Sequence, residues 1–161
     1  MGTLLPVAQK GEGVLALKAS VISQAEFNSQ WLYQLTEAMH ATMLERNGVG
    51  IAAPQVYISK RVIIVASKPN PRYPDAPEMS PIIMINPEIV WMSEQENLGE
   101  EGCLSVQNER GSVRRANEIQ VHYFDLDGTK FELRLSGFPA RIVQHEVDHL
   151  NGILFVERLS E

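Results

Sequence analysis

Residues 144–152 read QHEVDHLNG, and the rest of the chain is best interpreted from them. On an α-helix, residues four apart lie on the same face, so His145 and His149 can offer two imidazole nitrogens to one metal ion. Glu146 lies one position round the helix, where a carboxylate can take a proton from a metal-activated water. The stretch therefore predicts two metal ligands and a general base. A chance match is the alternative, because a pattern this short also recurs without a metal.

The residues around this stretch predict a helix that is buried on both sides. Pro139 suits the first turn of a helix, and Gly152 suits its end. One side carries a stripe of apolar residues: Val143, Val147 and Leu150. The other side carries Ile142 with the two histidines. Because both sides favour burial, we predict an α+β fold in which antiparallel sheets wrap around this central C-terminal helix.

Length and composition predict one catalytic domain over residues 1–161, since 161 residues can bury a sizeable core. A net charge of −6 argues against direct, sequence-specific nucleic-acid binding, which needs a basic face. The sequence contains no apolar run of about 18 residues, so no membrane span is expected. The N-terminus lacks the charged-then-apolar layout of a signal peptide. The only cysteine, Cys103, cannot form an intrachain disulfide. These features predict a cytoplasmic protein.

Periodicity predicts one further helix, amphipathic and near the N-terminus, over residues 23–46. Its stripe consists of apolar residues four apart: Phe27, Trp31, Leu35, Met39 and Met43. Ser23 and Glu26 have the spacing of a capping box at its start, and Asn47-Gly48 is a typical stop. We therefore expect this stripe to face the core.

Apolar runs and alternation predict short strands. They are placed at residues 61–66, 82–86, 88–92, 119–124, 130–135 and 153–156. Residues 67–81 hold five of the nine prolines and predict a loop. The acidic residues 94–101 predict a second, solvated loop.

The third metal ligand has to come from upstream. A catalytic site usually has three protein ligands and one open position. Phe155 stands where the final histidine of HExxHxxGxxH proteases would be, and the downstream carboxylates lie too close to the helix. His40 falls off the apolar stripe and His122 lies on a polar strand face, so both are read as solvated. Cys103 remains as the candidate, although a lone cysteine is more often a buried apolar residue.

Three stretches resemble the signature motifs of the peptide deformylases. Residues 48–55 fit GxGxAAxQ, residues 101–105 fit EGCLS, and residues 144–152 fit QHExDHxxG, in the order found in that family. The likeness extends from about residue 45 to the C-terminus. The glycine stretch alone would suggest only a turn into a strand, whereas three motifs in order indicate a family member.

The resemblance implies a metal-dependent hydrolase that removes the N-formyl group from the formylmethionine of nascent polypeptides and releases formate. Three residues would hold one divalent metal: Cys103, His145 and His149. The family implies Fe²⁺ in the cell, with Ni²⁺, Co²⁺ or Zn²⁺ in preparations. Glu146 would be the general base, and the Gln55 side-chain amide and the Leu104 N–H would stabilise the oxyanion.

The resemblance also implies how the formylmethionyl peptide binds. Six residues would contact it: Val49, Gly50, Glu101, Arg110, Phe138 and Ile142. The edge at residues 48–51 would pair with the substrate backbone as an added strand. Asp148 and Arg115 are expected to form a supporting pair behind the helix. Binding to the ribosome–nascent chain complex is left open, because the longer C-terminal helix that some members use for docking does not follow Glu157.

Two alternatives remain on the residues alone. One is an HExxH-type zinc peptidase, and the other is a non-catalytic domain with a structural metal. Gln55 and Glu146 distinguish the second, because a closed structural site needs neither an oxyanion donor nor a base.

Overall fold

The computed structural model describes residues 3–160, which form two helices and seven strands. The helices are α1, Gln30–Glu45, and α2, Gly137–Leu150. The strands are β1 Gly50–Ala52, β2 Val62–Val65, β3 Ile82–Met92, β4 Glu96–Cys103, β5 Val106–Ala116, β6 Glu118–Phe124 and β7 Lys130–Ser136. One antiparallel sheet has the order β1-β2-β3-β6-β7, and β4 and β5 form a separate hairpin. The predicted α+β class with antiparallel sheets is confirmed. Among these residues, no helix has the length and apolar character needed to cross a bilayer.

The five-stranded sheet lies between the two helices. Successive side chains of a strand point to opposite faces. Accordingly, Ile63 and Val65 of β2 pack in the cluster that contains α2 residues, whereas Val62 and Ile64 pack with α1. β2 is therefore apolar on both faces, which is why its sequence is an unbroken apolar run.

α2 is enclosed on both sides. All of residues 140–150 are buried, and its apolar side packs on the sheet. Its other side faces the hairpin, where Arg141 donates to the Asn97 carbonyl of β4 at 3.0 Å. The Ala116 N–H of β5 donates to Gln144 Oε1 at 3.0 Å. The helix thus joins the two sheets through its polar side chains.

The first helix begins later than predicted. The Ser23–Glu26 pair forms around a single 3-10 turn, Gln24–Glu26, and Asn28, with φ +61°, breaks the helical path. α1 begins after Ser29, whose hydroxyl accepts from the Leu32 N–H at 3.1 Å. Trp31 is 42% exposed, so its predicted place in the core is wrong. A spacing of four residues rotates by about 40° per step on a helix, which leaves Trp31 about 120° away from Met43.

The acidic loop predicted at residues 94–101 is wrong, because this segment forms most of β4. It pairs in antiparallel register with β5, to which the sequence assigned no element. Glu96, Leu98 and Glu100 of β4 are exposed. A hairpin with an outer row that is mostly polar lacks the apolar alternation by which strands are recognised in a sequence.

Two other predicted strands differ from the structure. Residues 82–92 form one continuous strand rather than two pieces separated at Pro87. The register shifts between Ile85 and Glu88, and Asn86 has φ +51°, so the proline occupies an irregularity where no ladder hydrogen bond is needed. The strand predicted at residues 153–156 is wrong as well, because Phe155–Arg158 is a 3-10 helix.

Candidate metal centre

Two elements bring three candidate metal ligands together. α2 carries His145 and His149 one turn apart, and Cys103 is the last residue of β4. Their ligand atoms all lie within 4.8 Å of one another, and all three side chains are buried. Cys103 Sγ lies 3.3 Å from His149 Nε2. Bond lengths of about 2.3 Å to sulfur and about 2.1 Å to nitrogen would place two such ligands of one tetrahedral ion about 3.5 Å apart. The three residues therefore fit one divalent metal ion.

The histidine ring nitrogens suit the same interpretation. His145 Nδ1 lies 2.9 Å from Glu101 Oε1, so an N–H at that position would donate to the carboxylate and leave Nε2 as the ligand. His149 Nδ1 is buried without a hydrogen-bond partner among residues 3–160. One imidazole is thus oriented by a carboxylate, whereas the other is buried with its Nε2 facing Cys103 Sγ.

The charges of the cluster also favour a cation. Burial opposes ionisation of Cys103, but the neighbouring His149 and His145 hold the pKa of the thiol well below its usual range. Burial likewise opposes a charged His145, but hydrogen bonds with Cys103 and Glu101 hold its pKa well above the usual range. Both shifts favour a thiolate beside a charged imidazole, and a divalent cation can supply the same positive charge.

Glu146 faces β1 beside these ligands. A Cβ added at Gly50 would lie 2.7 Å from Glu146 Oε2 and 2.7 Å from Ile142 Cγ2, so only glycine lets the strand approach so closely. Burial raises the pKa of Glu146 to about 6. Its Oε1 is buried and has no hydrogen-bond partner in the described part of the chain. A carboxylate oxygen that has no hydrogen-bond partner and lies next to the three candidate ligands is able to accept a proton.

Gln55 presents its amide nitrogen to the same place. Its Oε1 accepts from the Ala52 N–H at 2.9 Å, which fixes the amide orientation. Its Nε2 then lies 3.0 Å from Ser105 Oγ and 3.6 Å from Cys103 Sγ. The neighbouring Leu104 N–H donates no hydrogen bond within residues 3–160. Both groups are donors beside the cluster, as an oxyanion would require.

A cavity opens beside the three ligands. Its wall includes five of the six residues predicted to contact substrate: Val49, Gly50, Glu101, Phe138 and Ile142. Arg110, the sixth, is not in this wall. Its guanidinium stacks on Tyr73 at 4.8 Å from the ring centroid and pairs with Glu100 at 2.7 Å.

Tyr73, which comes from the proline-rich loop, also lines this cavity and was not predicted. Its ring packs against Phe138 at a centroid distance of 5.2 Å, and its hydroxyl oxygen accepts from the Gly102 N–H at 2.9 Å. Both contacts link residues far apart in the chain. The only local signal was an aromatic residue in a loop with many prolines.

Buried ion pairs support the ligands from behind. Arg115 binds Glu101 through two hydrogen bonds of 2.9 Å and Asp148 through one of 2.7 Å. Two further arginines were missed: Arg141, 2.6 Å from Glu101, and Arg158, 2.6 Å from Asp148. The one sequence signal for Arg141 was its position four residues before His145, which places both residues on the same face of α2.

Comparison with known proteins decides the family. The model of the family described as polypeptide deformylase matches residues 4–161. The chain belongs to the polypeptide deformylase family. The resemblance predicted from the three motifs is therefore confirmed, and with it membership in a family of hydrolases.

Relatives and solved structures agree with this deformylase assignment. A peptide deformylase 2 from Nostoc sp. is 49% identical over 157 residues, which cover 98% of this chain and 87% of the relative. A Met-Ala-Ser-bound class I type b peptide deformylase from Acinetobacter baumannii is 68% identical, with a TM-score of 0.96. That match covers 99% of this chain and 100% of the other. A peptide deformylase from Thermotoga maritima, 33% identical, has a TM-score of 0.86 over 98% of this chain and 99% of its own.

Proposed function

We propose that this protein removes the N-formyl group from the N-terminal formylmethionine of nascent polypeptides and releases formate, in a reaction that depends on a divalent metal. The observation that carries the proposal is the open, buried oxygen of Glu146 beside the cluster of Cys103, His145 and His149. Membership in the deformylase family gives that arrangement its substrate.

Cys103, His145 and His149 would hold the metal, and the proposed physiological ion is Fe²⁺, as the family implies. The Cys/His₂ donor set also suits Zn²⁺, and Ni²⁺ or Co²⁺ can occupy such a site in preparations. When bound, the ion supplies a Lewis acid that lowers the pKa of water and polarises the formyl oxygen.

Glu146 is the proposed general base and acid. Its carboxylate takes a proton from the water that attacks the formyl carbon, and it then returns the proton to the departing amine nitrogen. A carboxylate placed beside an activated water can take a proton and return it in the next step. Gln55 Nε2 and the Leu104 N–H donate to the oxygen on which negative charge develops.

The substrate side chain and backbone have separate contacts. Val49, Phe138 and Ile142 give the cavity an apolar wall that suits a methionine side chain. β1 is the edge strand of its sheet, so the peptide backbone can add alongside it. The solved structure of the Acinetobacter relative is described as bound to Met-Ala-Ser. A tripeptide of this kind, without its formyl group, is the product that this cavity would release.

We also propose that residues 1–161 act as one catalytic domain in the cytoplasm. The proposed partners are formylmethionyl chains as they leave the ribosome.

The test is formate release from formyl-Met-Ala-Ser by protein prepared without oxygen. Wild-type protein is expected to turn the peptide over. Glu146→Gln should keep its metal but lose about 100- to 10 000-fold in kcat, the range expected for a general base. Glu37→Gln, on the exposed side of α1, is the matched control and should be unchanged.

Two results would contradict the proposal. Turnover by Glu146→Gln at the wild-type rate would mean that another group is the base. Cleavage of unformylated peptides, with formylated ones inert, would favour a zinc peptidase. Metal analysis of the same anaerobic preparation tests the ion, and zinc as the sole metal that supports activity would contradict Fe²⁺.

A further inference from the structure

Arg141 is a buried arginine that belongs to neither the ligand set nor the proposed proton transfer. It lies on α2, one turn before His145, and its side chain is 6% exposed. Its two terminal nitrogens make five hydrogen bonds, all to the β4–β5 hairpin. An arginine stem is long and flexible, so this many fixed bonds hold it in one conformation.

These bonds join the two elements that carry the metal ligands. Nη2 donates to the carbonyl oxygen of Asn97 at 3.0 Å and to its side-chain oxygen at 2.6 Å. Nη1 donates to Glu101 Oε2 at 2.6 Å and to the Val113 carbonyl at 2.9 Å. Because three of the five acceptors are backbone carbonyls, those of Asn97, Gly99 and Val113, Arg141 fixes the path of the hairpin itself. Cys103, at the end of β4, is placed against the histidines of α2 by this connection.

Gly99 makes room for the guanidinium. A Cβ added there would lie 2.8 Å from Arg141 Cζ and 2.9 Å from its Nε. The φ of Gly99 is outside the left-handed region, so its backbone does not demand glycine. Space for Arg141 is therefore the reason for a glycine in the middle of β4.

The Glu101 carboxylate forms ion pairs with two arginines. Arg115 holds both carboxylate oxygens, and Arg141 adds a third arginine bond to Oε2. If Arg141 is removed, Glu101 keeps the Arg115 pair and the contact with His145. Glu101 would therefore not be left as an unpaired buried charge, and the main loss would be the connection between the hairpin and α2.

We propose that Arg141 is a positioning residue of the metal centre. It holds β4 against α2 at the separation that lets Cys103 share one ion with His145 and His149. Gly99 leaves the space that the guanidinium occupies. The inference rests on the proposed metal-binding role of these three residues. Without Arg141, β4 can move relative to α2, and the thiolate would be held less firmly at the ion. Groups that orient metal ligands typically change metal affinity by about 10- to 100-fold when they are removed.

The experiment uses full-length protein loaded with Co²⁺, whose visible absorption reports the thiolate contact, and follows the loss of Co²⁺ to excess EDTA. Arg141→Met keeps the length and apolar stem but removes all five hydrogen bonds. It should lose Co²⁺ at least about 10-fold faster than wild type and show a weakened thiolate-to-cobalt band. Arg141→Lys restores one charge beside Glu101 without the bonds to the hairpin backbone, and its rate should be intermediate.

A double-mutant cycle tests the role of Gly99. Gly99→Ala should displace the guanidinium and accelerate Co²⁺ loss, whereas adding Gly99→Ala to Arg141→Met should change nothing further. Gly13→Ala is the control, since nothing lies within 4 Å of a Cβ there. Additive effects of the two substitutions would overturn the role given to Gly99.

Two further outcomes keep the inference separate from the proposed function. Wild-type Co²⁺ retention in Arg141→Met, whatever its unfolding free energy, would overturn the inference and leave the proposed function intact. A wild-type protein that binds no Co²⁺ and releases no formate would overturn the proposed function itself. Faster Co²⁺ loss together with a weakened thiolate-to-cobalt band in the folded, loaded protein would support positioning, because a residue that only stabilises the fold would leave that band unchanged. Faster Co²⁺ loss with a wild-type band would overturn the inference.

Discussion

The two helices of this protein differ in what their buried polar residues contact. In α1, the buried hydroxyls of Thr36 and Thr42 donate to carbonyls of their own helix, at 3.1 and 2.7 Å. Within residues 3–160, their one bond to another segment comes from the Leu5 N–H, which donates to Thr42 Oγ1 at 2.9 Å. In α2, residues 140–150 are all buried, and its polar side chains bond to other elements. Gln144 pairs with the backbone of Ala116, and Asp148 pairs with Arg115.

This difference follows from the cost of burying polar groups. A buried charge without a partner is strongly unfavourable, whereas a hydroxyl can be satisfied within one turn. The polar residues of α2 are therefore tied to distant parts of the chain, and a change there should spread to the hairpin and the ligands. Changes in α1 should not reach the ligands, because its buried hydroxyls bond, within the described residues, only to their own helix and to Leu5.

The largest effect is expected for Arg115→Met. This change leaves Glu101 and Asp148 with fewer partners inside the protein, and breaking a buried pair typically costs about 3 to 5 kcal/mol. The unfolding free energy, measured in urea on metal-free protein, should fall by that amount. Arg114→Met alters the exposed neighbour and should change it by less than about 0.5 kcal/mol. Equal values for the two variants would show that the buried network does not stabilise α2.

A smaller effect, confined to catalysis, is expected for Gly50→Ala. The added methyl group would lie 2.7 Å from Glu146 Oε2 and must push the carboxylate or β1 aside. A displacement of about 1 Å can cost about 100-fold in rate, so we expect kcat for formyl-Met-Ala-Ser to fall by that order. Metal content should stay at the wild-type level. An unchanged kcat would mean that Glu146 does not need its present position.

The same contrast explains which elements could be predicted from the sequence. α1, α2 and the strands β2, β6 and β7 have periodic apolar patterns, because each packs one or both faces on the core. The β4–β5 hairpin has no such pattern, since its outer row is largely polar and its inner row mixes ion pairs with a few apolar contacts, those of Val106, Val113 and Ala116. Glu101 was expected near the substrate, but its pairing with Arg141 was not predictable, because no local pattern encodes a contact across 40 residues.

The residues of the site also divide into those with a local sequence pattern and those without one. His145, Glu146 and His149 are recognisable together because a helix sets their spacing. Cys103 was found by elimination and by its motif, and the structure brings its sulfur to 3.3 Å from His149. Tyr73 reaches the cavity from a loop whose sequence indicates only that it cannot join a sheet interior. Side chains that act through tertiary contacts leave little trace in a single sequence.

The smallest effect tests the local character of α1. Ser29→Ala removes the hydroxyl that accepts from the Leu32 N–H at the start of the helix. Loss of an N-cap typically costs about 1 kcal/mol, and we expect this fall in unfolding free energy with no change in kcat/KM. Ser23→Ala is the informative control, because Ser23 precedes only a 3-10 turn and should cost less. If Ser29→Ala also lowered kcat/KM, the two helices would be coupled through the sheet between them, and α1 could no longer be treated as independent of the metal centre.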